Sequence, residues 1–126
     1  MKPQKKILIV EDDQSLRDAI AEVLRSKAFL PIEAVNGKEG VEKALSEHPD
    51  LILLDLVMPV MSGMEALTKI REDKWGKNVP VIILTNLDAS DDRLTEDVVK
   101  GMPIYYLVKS DIKIYDVVDK IEKLIH

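Results

Sequence analysis

The sequence contains no cysteine, which excludes disulfides, thiol catalysis and cysteine-ligated metals. Basic charge is not in excess either: 18 Lys and Arg stand against 23 Asp and Glu, a net charge of −5. Phosphate backbones are bound by basic faces, so this balance argues against direct nucleic-acid contact. The only basic cluster, Lys2, Lys5 and Lys6, reads as a solvated terminus. No apolar run approaches bilayer-spanning length, and the N-terminus lacks a signal-peptide core. No membrane contact and a cytoplasmic location are therefore expected. Repeats, low-complexity tracts and linkers are also missing, and His48 and His126 are isolated, suggesting neither catalysis nor metal. Trp75, in a polar stretch, reads as a partly covered surface residue.

What remains is a chain of 126 residues, 46% hydrophobic and 33% charged, which fits one globular domain over residues 1–126 with its own core and no output domain. Its centre is the run Asp50-Leu51-Ile52-Leu53-Leu54-Asp55-Leu56-Val57-Met58-Pro59. Four consecutive apolar residues are too few for an independent helix and read as a strand buried on both faces. Pro59 ends regular ladder bonding, so Asp55 is presented at the strand's carboxyl end. In open α/β sheets that edge is where ligands collect.

The rest of the chain alternates in the same way. Lys6 to Val10 is a second apolar strand, followed by a helix from about Gln14 to Lys27. Phe29 to Val35 alternates and contains Pro31, which suits a strand near an edge. Asn36-Gly37 breaks it, and a helix carrying Val41, Ala44 and Leu45 ends before Pro49. Ser62-Gly63-Met64-Glu65 matches a capping box and opens a helix with Met64, Leu67 and Ile70 inward. Val79 to Leu84 is a fourth strand, ending at Thr85-Asn86, and Ile104 to Val108 a fifth, ending at Lys109. Between them, residues 88 to 100 carry a weak helical pattern. The last helix has Ile114, Val117, Val118, Ile121 and Ile125 on one face. Long links between strands mean crossovers, hence a doubly wound parallel sheet of five strands with helices on both faces.

Glu11, Asp12, Asp55, Thr85 and Lys109 all close strands, and in a parallel sheet all these ends share one edge. Singly, each has an ordinary reading: a turn-forming Asp, acids favouring a helix's positive end, a strand-end Thr, a solvated Lys. Together they place three carboxylates, a hydroxyl and an ammonium side by side. Close carboxylates repel, and at least one has its pKa raised unless a counter-charge intervenes. Oxygen-only ligands favour Mg²⁺, Mn²⁺ or Ca²⁺ over zinc. A carboxylate beside such an ion and an ammonium is poised for in-line attack on phosphorus.

These motifs, Ile7-Leu-Ile-Val-Glu11-Asp12, Leu53-Leu-Asp55-Leu-Val-Met58-Pro59 with Gly63, Ile83-Leu-Thr85 and Tyr106-Leu-Val-Lys109, follow one another in an order that resembles a response-regulator receiver domain of two-component signalling, single-domain and chemotaxis-regulator-like. The resemblance implies a flavodoxin-like (βα)5 fold with strand order 2-1-3-4-5. It implies that Asp55 accepts a phosphoryl group from a histidine kinase or phosphotransfer protein. Mg²⁺, or Mn²⁺ in its place, would be held by Asp12, Asp55 and the Val57 carbonyl, with Glu11 acting through water. Lys109 would pair with the phosphoryl group, Thr85 would move toward it, and Tyr106 would rotate inward behind Thr85. Val57, Asn86 and Leu87 would flank the path of the hydrolytic water and tune the lifetime of the phosphorylated state. Asp13 would cap the first helix. The implied partner is a downstream protein or output domain met through the helix at 88–100, the fifth strand and the last helix, by a monomer or a phosphorylation-dependent dimer. Such a domain is not an enzyme beyond its own phosphorylation and slow dephosphorylation. A degenerate receiver serving only as a binding module is the rival reading, which intact Asp12, Asp55, Thr85 and Lys109 oppose. The sequence departs from the family pattern at Ser110, where proline is usual, at Asn86, and at Gly101-Met102-Pro103.

Overall fold

Each uninterrupted apolar run becomes a strand, and each amphipathic stretch a helix laid across it. The computed structural model describes residues 4–85, 104–109 and 113–125. Its elements are β1 (Lys6–Val10), α1 (Gln14–Ser26), β2 (Leu30–Ala34), α2 (Gly37–Glu47), β3 (Leu51–Leu54), α3 (Gly63–Glu72), β4 (Val81–Thr85), β5 (Ile104–Val108) and α4 (Ile114–Ile125). The helix expected over 88–100, Asn86, Leu87, Gly101-Met102-Pro103, Ser110 and His126 lie outside the described residues, as does the side chain of Tyr106.

The strands form one parallel sheet in the order β2-β1-β3-β4-β5, the flavodoxin-like arrangement. Central β1, β3 and β4 carry apolar side chains on both faces, as a sheet sandwiched between helices requires. Leu8, Val10, Ile52, Leu54, Val81 and Ile83 face α2 and α3, meeting Ala44, Ala66, Leu67 and Ile70. Ile7, Ile9, Leu51, Leu53, Ile82 and Leu84 face the other way, against Ile20, Ala21 and Leu24 of α1 and Val117, Val118 and Ile121 of α4. Full burial of one such Leu or Ile contributes about 1.5–3 kcal/mol. A one-residue slip would move every strand side chain to the opposite face, so the register Val10↔Leu54 is firmly held. β2 is an edge strand, as Pro31 suggests: it pairs with β1 alone, where Pro31 lies opposite Ile7.

Helix starts follow local chemistry. Asp13 caps α1 through Leu16 N–H (3.2 Å), Asn36 caps α2 through Glu39 N–H (2.9 Å), and Ser62 caps α3 through Glu65 N–H (3.2 Å). Asp13 and Asn36 turn the chain within three residues of the ends of β1 and β2, whereas Ser62 follows the longer loop that leaves β3 at Asp55. Trp75 is half-buried against the α2–α3 core, and its ring stacks on His48 at 4.5 Å, so His48 is not isolated.

Candidate functional site

Parallel order brings the strand-ending residues together across large sequence separations. Glu11 follows β1, its N–H donating to Ala34 O (3.1 Å), and Asp55 follows β3, its N–H donating to Val10 O (3.0 Å). Both carboxyl groups are buried, Glu11 being 3% and Asp55 5% exposed, whereas Asp12 is exposed at the mouth. One carboxylate oxygen from each of Glu11, Asp12 and Asp55 lies within 4.8 Å of the other two. Thr85, 1% exposed, closes β4 on the same edge. Lys109, directly after β5, reaches back over the group: its Nζ lies 2.7 Å from Glu11 Oε2 and 3.1 Å from Asp55 Oδ2.

That ammonium is the only counter-charge within ion-pair distance of the two buried carboxylates among the described residues. Burial is the largest influence on Glu11 and raises its pKa; the Asp55 charge adds to this, and hydrogen bonds from Lys109 and the Asp13 N–H only partly offset it. Burial works against the charged form of Lys109 too, yet Glu11 and Asp55 together outweigh it and raise its pKa. Both pKa values rise, for different reasons: burial, with the Asp55 charge behind it, raises Glu11, whereas two anionic partners raise Lys109 against its burial.

The loop after β3 is shaped by Gly63 and Val60. Gly63 N–H donates to Leu56 O (3.0 Å), and a Cβ on Gly63 would stand 2.0 Å from Asp55 O. Only glycine lets α3 start this close to the Asp55 backbone. A γ-turn closed by Met61 N–H and Pro59 O (2.7 Å) surrounds Val60, whose φ of 68° is unfavourable for a β-branched residue. Val57 N–H donates to Asp55 Oδ1 (3.3 Å), orienting the carboxylate from the same loop, and the Val57 side chain is exposed.

Glu11, Asp12, Asp55, Thr85, Lys109 and Val57 are thus brought to one edge. The Tyr106 backbone lies in β5, paired with Ile83 of β4. Sequence reading missed Arg17, which is buried in α1 and donates from Nη1 to Glu11 O (2.8 Å). The available signal was its spacing: Arg17, Ile20, Ala21 and Leu24 occupy one inward face of the helix.

The donor set fits a hard divalent cation. Glu11, Asp12 and Asp55 offer carboxylate oxygens within 4.8 Å of one another, and an all-oxygen set of this kind suits Mg²⁺ or a similar hard ion. No helix among the described residues is long and apolar enough to cross a membrane.

Comparison with known proteins agrees with this arrangement. A family model described as the response regulator receiver domain matches residues 7–121. A protein-glutamate methylesterase/protein-glutamine glutaminase of Vibrio cholerae is 35% identical over 106 residues, 82% of this chain and 27% of its own length. The phosphate regulon transcriptional regulatory protein PhoB of Escherichia coli is 32% identical over 90 residues, 71% of this chain and 39% of its own. The chain therefore spans well under half of these curated relatives. The receiver domain of the sensor histidine kinase PA1611 from Pseudomonas aeruginosa, solved with a magnesium ion coordinated in its active-site cleft, superposes with a TM-score of 0.84 at 30% identity, covering 98% of both chains.

Proposed function

The chain belongs to the response-regulator receiver domain family of two-component systems, and from that premise we propose that Asp55 is its phosphoacceptor and the edge around it a phosphorylation switch. Receiver domains bind Mg²⁺ at an acidic pocket, and here Glu11, Asp12 and Asp55 supply one. The observation that carries the reading is the Lys109 ammonium, 3.1 Å from Asp55 Oδ2 and paired as well with the buried Glu11.

The chemistry follows from these residues. Asp55 attacks phosphorus in line; its Oδ–P bond forms as the P–N bond of a phosphohistidine breaks, and the imidazole leaves. Val57 N–H holds the carboxylate's orientation through Oδ1. Lys109 offsets the negative charge on the transferring oxygens, in a buried setting where such charge pairing is strong. Asp12, Asp55 and the Val57 carbonyl are the proposed ligands of the divalent ion, Mg²⁺ or Mn²⁺, with Glu11 acting across a water. When bound, the ion neutralises the acids and polarises the phosphoryl oxygens. Glu11 suits an indirect role, because its Oε1 already accepts from Asp13 N–H (3.1 Å) and from Lys109 (3.0 Å).

An aspartyl phosphate adds about one to two negative charges and strong acceptor oxygens, by analogy with other phosphorylations. Thr85 and Lys109 are drawn to it, Tyr106 follows, and the face built from residues 88–100, β5 and α4 changes partner affinity. The helix expected over residues 88–100, as the crossover between β4 and β5, is part of the proposed (βα)5 fold. Lys120 Nζ, 4.8 Å from the Tyr105 ring centroid, already links α4 to β5 on that face. Residues 1–126 then form a single cytoplasmic receiver, monomeric or dimerising on phosphorylation, served by a histidine kinase or phosphotransfer protein and read by a downstream protein or output domain.

Intact-mass measurement with a small phosphodonor tests the assignment. One added phosphoryl group is expected, abolished by chelator and by Asp55→Ala; uptake by Asp55→Ala, or undiminished uptake in chelator, overturns it.

A further inference from the structure

Arg17 is the buried cation that the phosphoacceptor reading leaves without a task. It sits one turn into α1 and is 9% exposed, an unusual position for a guanidinium unless its donors are satisfied. They are used in two directions. Nη1 donates to the Glu11 carbonyl (2.8 Å), while Nε donates to Glu33 Oε1 on β2 (3.3 Å). Glu33 is itself held, its Oε2 lying 3.9 Å from Arg25 Nη2 and its carbonyl accepting from Lys43 Nζ.

The Glu11 carbonyl shares its peptide plane with the Asp12 N–H, so a donor fixing that oxygen also fixes how the chain leaves Glu11 and where Asp12 begins. Every other polar group of Glu11 is occupied: its N–H by Ala34 O, its Oε1 by Asp13 N–H and Lys109, its Oε2 by Lys109. Asp12, exposed, is the member of the acid group whose placement depends most on the plane before it. A planar fork spans two acceptors on different elements; a lysine ammonium, a point charge, holds one of them with less directional control.

We infer that Arg17 is a positioning residue for the divalent-cation site: by donating to the Glu11 carbonyl it fixes the Glu11–Asp12 peptide and thereby the spacing of the Asp12 and Asp55 carboxylates. This rests on the proposed function above, since it assumes that those acids bind the ion. Residues that orient metal ligands without touching the metal typically change affinity about 10–100-fold when removed.

The experiment is Mg²⁺ titration by calorimetry on the folded proteins, with thermal melts alongside, for wild type, Arg17→Met, Arg17→Lys and Glu33→Gln. Arg17→Met keeps the apolar stem and is expected to weaken Mg²⁺ binding about tenfold or more. Arg17→Lys should fall between, restoring part of the affinity. Glu33→Gln weakens the ion pair but leaves Arg17 on the Glu11 carbonyl, so it should lower melting temperature with Mg²⁺ affinity within about twofold of wild type. A merely structural tie between α1 and β2 would lower stability in all three variants and affinity in none. That result overturns the inference, as does an Arg17→Lys affinity equal to wild type if Arg17→Met fails to fold. A wild type that binds no Mg²⁺ overturns the cation-site reading and this inference with it, whereas wild-type binding matched by Arg17→Met overturns this inference alone.

Discussion

Lys109 Nζ lies 3.1 Å from Asp55 Oδ2 across 54 positions of sequence, a charged hydrogen bond between residues on different strand ends. The same nitrogen bonds Glu11, 98 positions away. Without any ion, the chain supplies its own counter-charge to the two buried acids.

Removing that charge should expose their repulsion. Lys109→Gln leaves Glu11 and Asp55 buried and unpaired, and breaking a buried pair costs about 3 kcal/mol or more. Its melting temperature in chelator should fall well below wild type. Mg²⁺ at about ten times Kd should then return about 1.4 kcal/mol. A variant as stable as wild type in chelator would show that the ammonium does not hold the site together.

Stability should depend on pH through both partners. Glu11 has its folded pKa raised above 4.5, so its contribution is fully present below 4.5 and is lost as pH rises through the raised value. Lys109 has its folded pKa raised above 10.5, so its contribution persists below 10.5 and is lost as pH rises through the raised value. In chelator, the wild-type minus Glu11→Gln difference in unfolding free energy should therefore decline as pH is raised above 4.5. The difference from Lys109→Gln should instead hold until the alkaline limb. A Glu11 difference that stays flat as pH rises above 4.5 would contradict a carboxyl whose pKa is raised by burial.

Two substitutions in the loop after Asp55 should act oppositely. Val60→Gly relieves a positive φ that costs about 1–2 kcal/mol, offset by the glycine's extra unfolded-state freedom of about 0.5–1 kcal/mol. A net gain of about 0.5–1 kcal/mol is expected by denaturant titration. Gly63→Ala puts a methyl group where only 2.0 Å separates it from Asp55 O, a backbone atom, and should cost about 3 kcal/mol or more while impairing phosphorylation. Equal stability of both variants would mean that this loop yields more easily than its contacts imply.

The phosphorylated state should be long-lived. Hydrolysis needs a water in line with the Asp55–phosphoryl bond, and Val57 and Leu87, the residues expected beside that path, cannot orient one. Val57 is exposed, with its N–H already engaged by Asp55. Val57→Asn and Leu87→Glu should each speed phosphate release about tenfold, only about 1.4 kcal/mol in barrier. Loss from wild type within seconds, or no acceleration in either variant, would defeat the shielding argument.

Apolar periodicity dictates the sheet and which residues reach its active edge. Runs such as Ile7 to Val10 and Leu51 to Leu54 allow only strands buried on both faces, and parallel order then carries Glu11, Asp55, Thr85 and Lys109 to one side. That step is local periodicity plus topology, which a linear text records. Tertiary structure alone decided how those residues are paired. That Lys109 bridges Glu11 as well as Asp55 depends on its reach from the end of β5, over β4, to the ends of β3 and β1. Arg17 was hidden because burial of a guanidinium depends on acceptors at Glu11 and Glu33 that only the packing of α1 on β2 brings within range. Val60 was hidden for a different reason: its strained φ is imposed by the loop's two ends, at Asp55 and Gly63, and not by its own preference. Pattern reveals which surfaces must be buried, whereas hydrogen-bond geometry is fixed only when distant backbone segments meet.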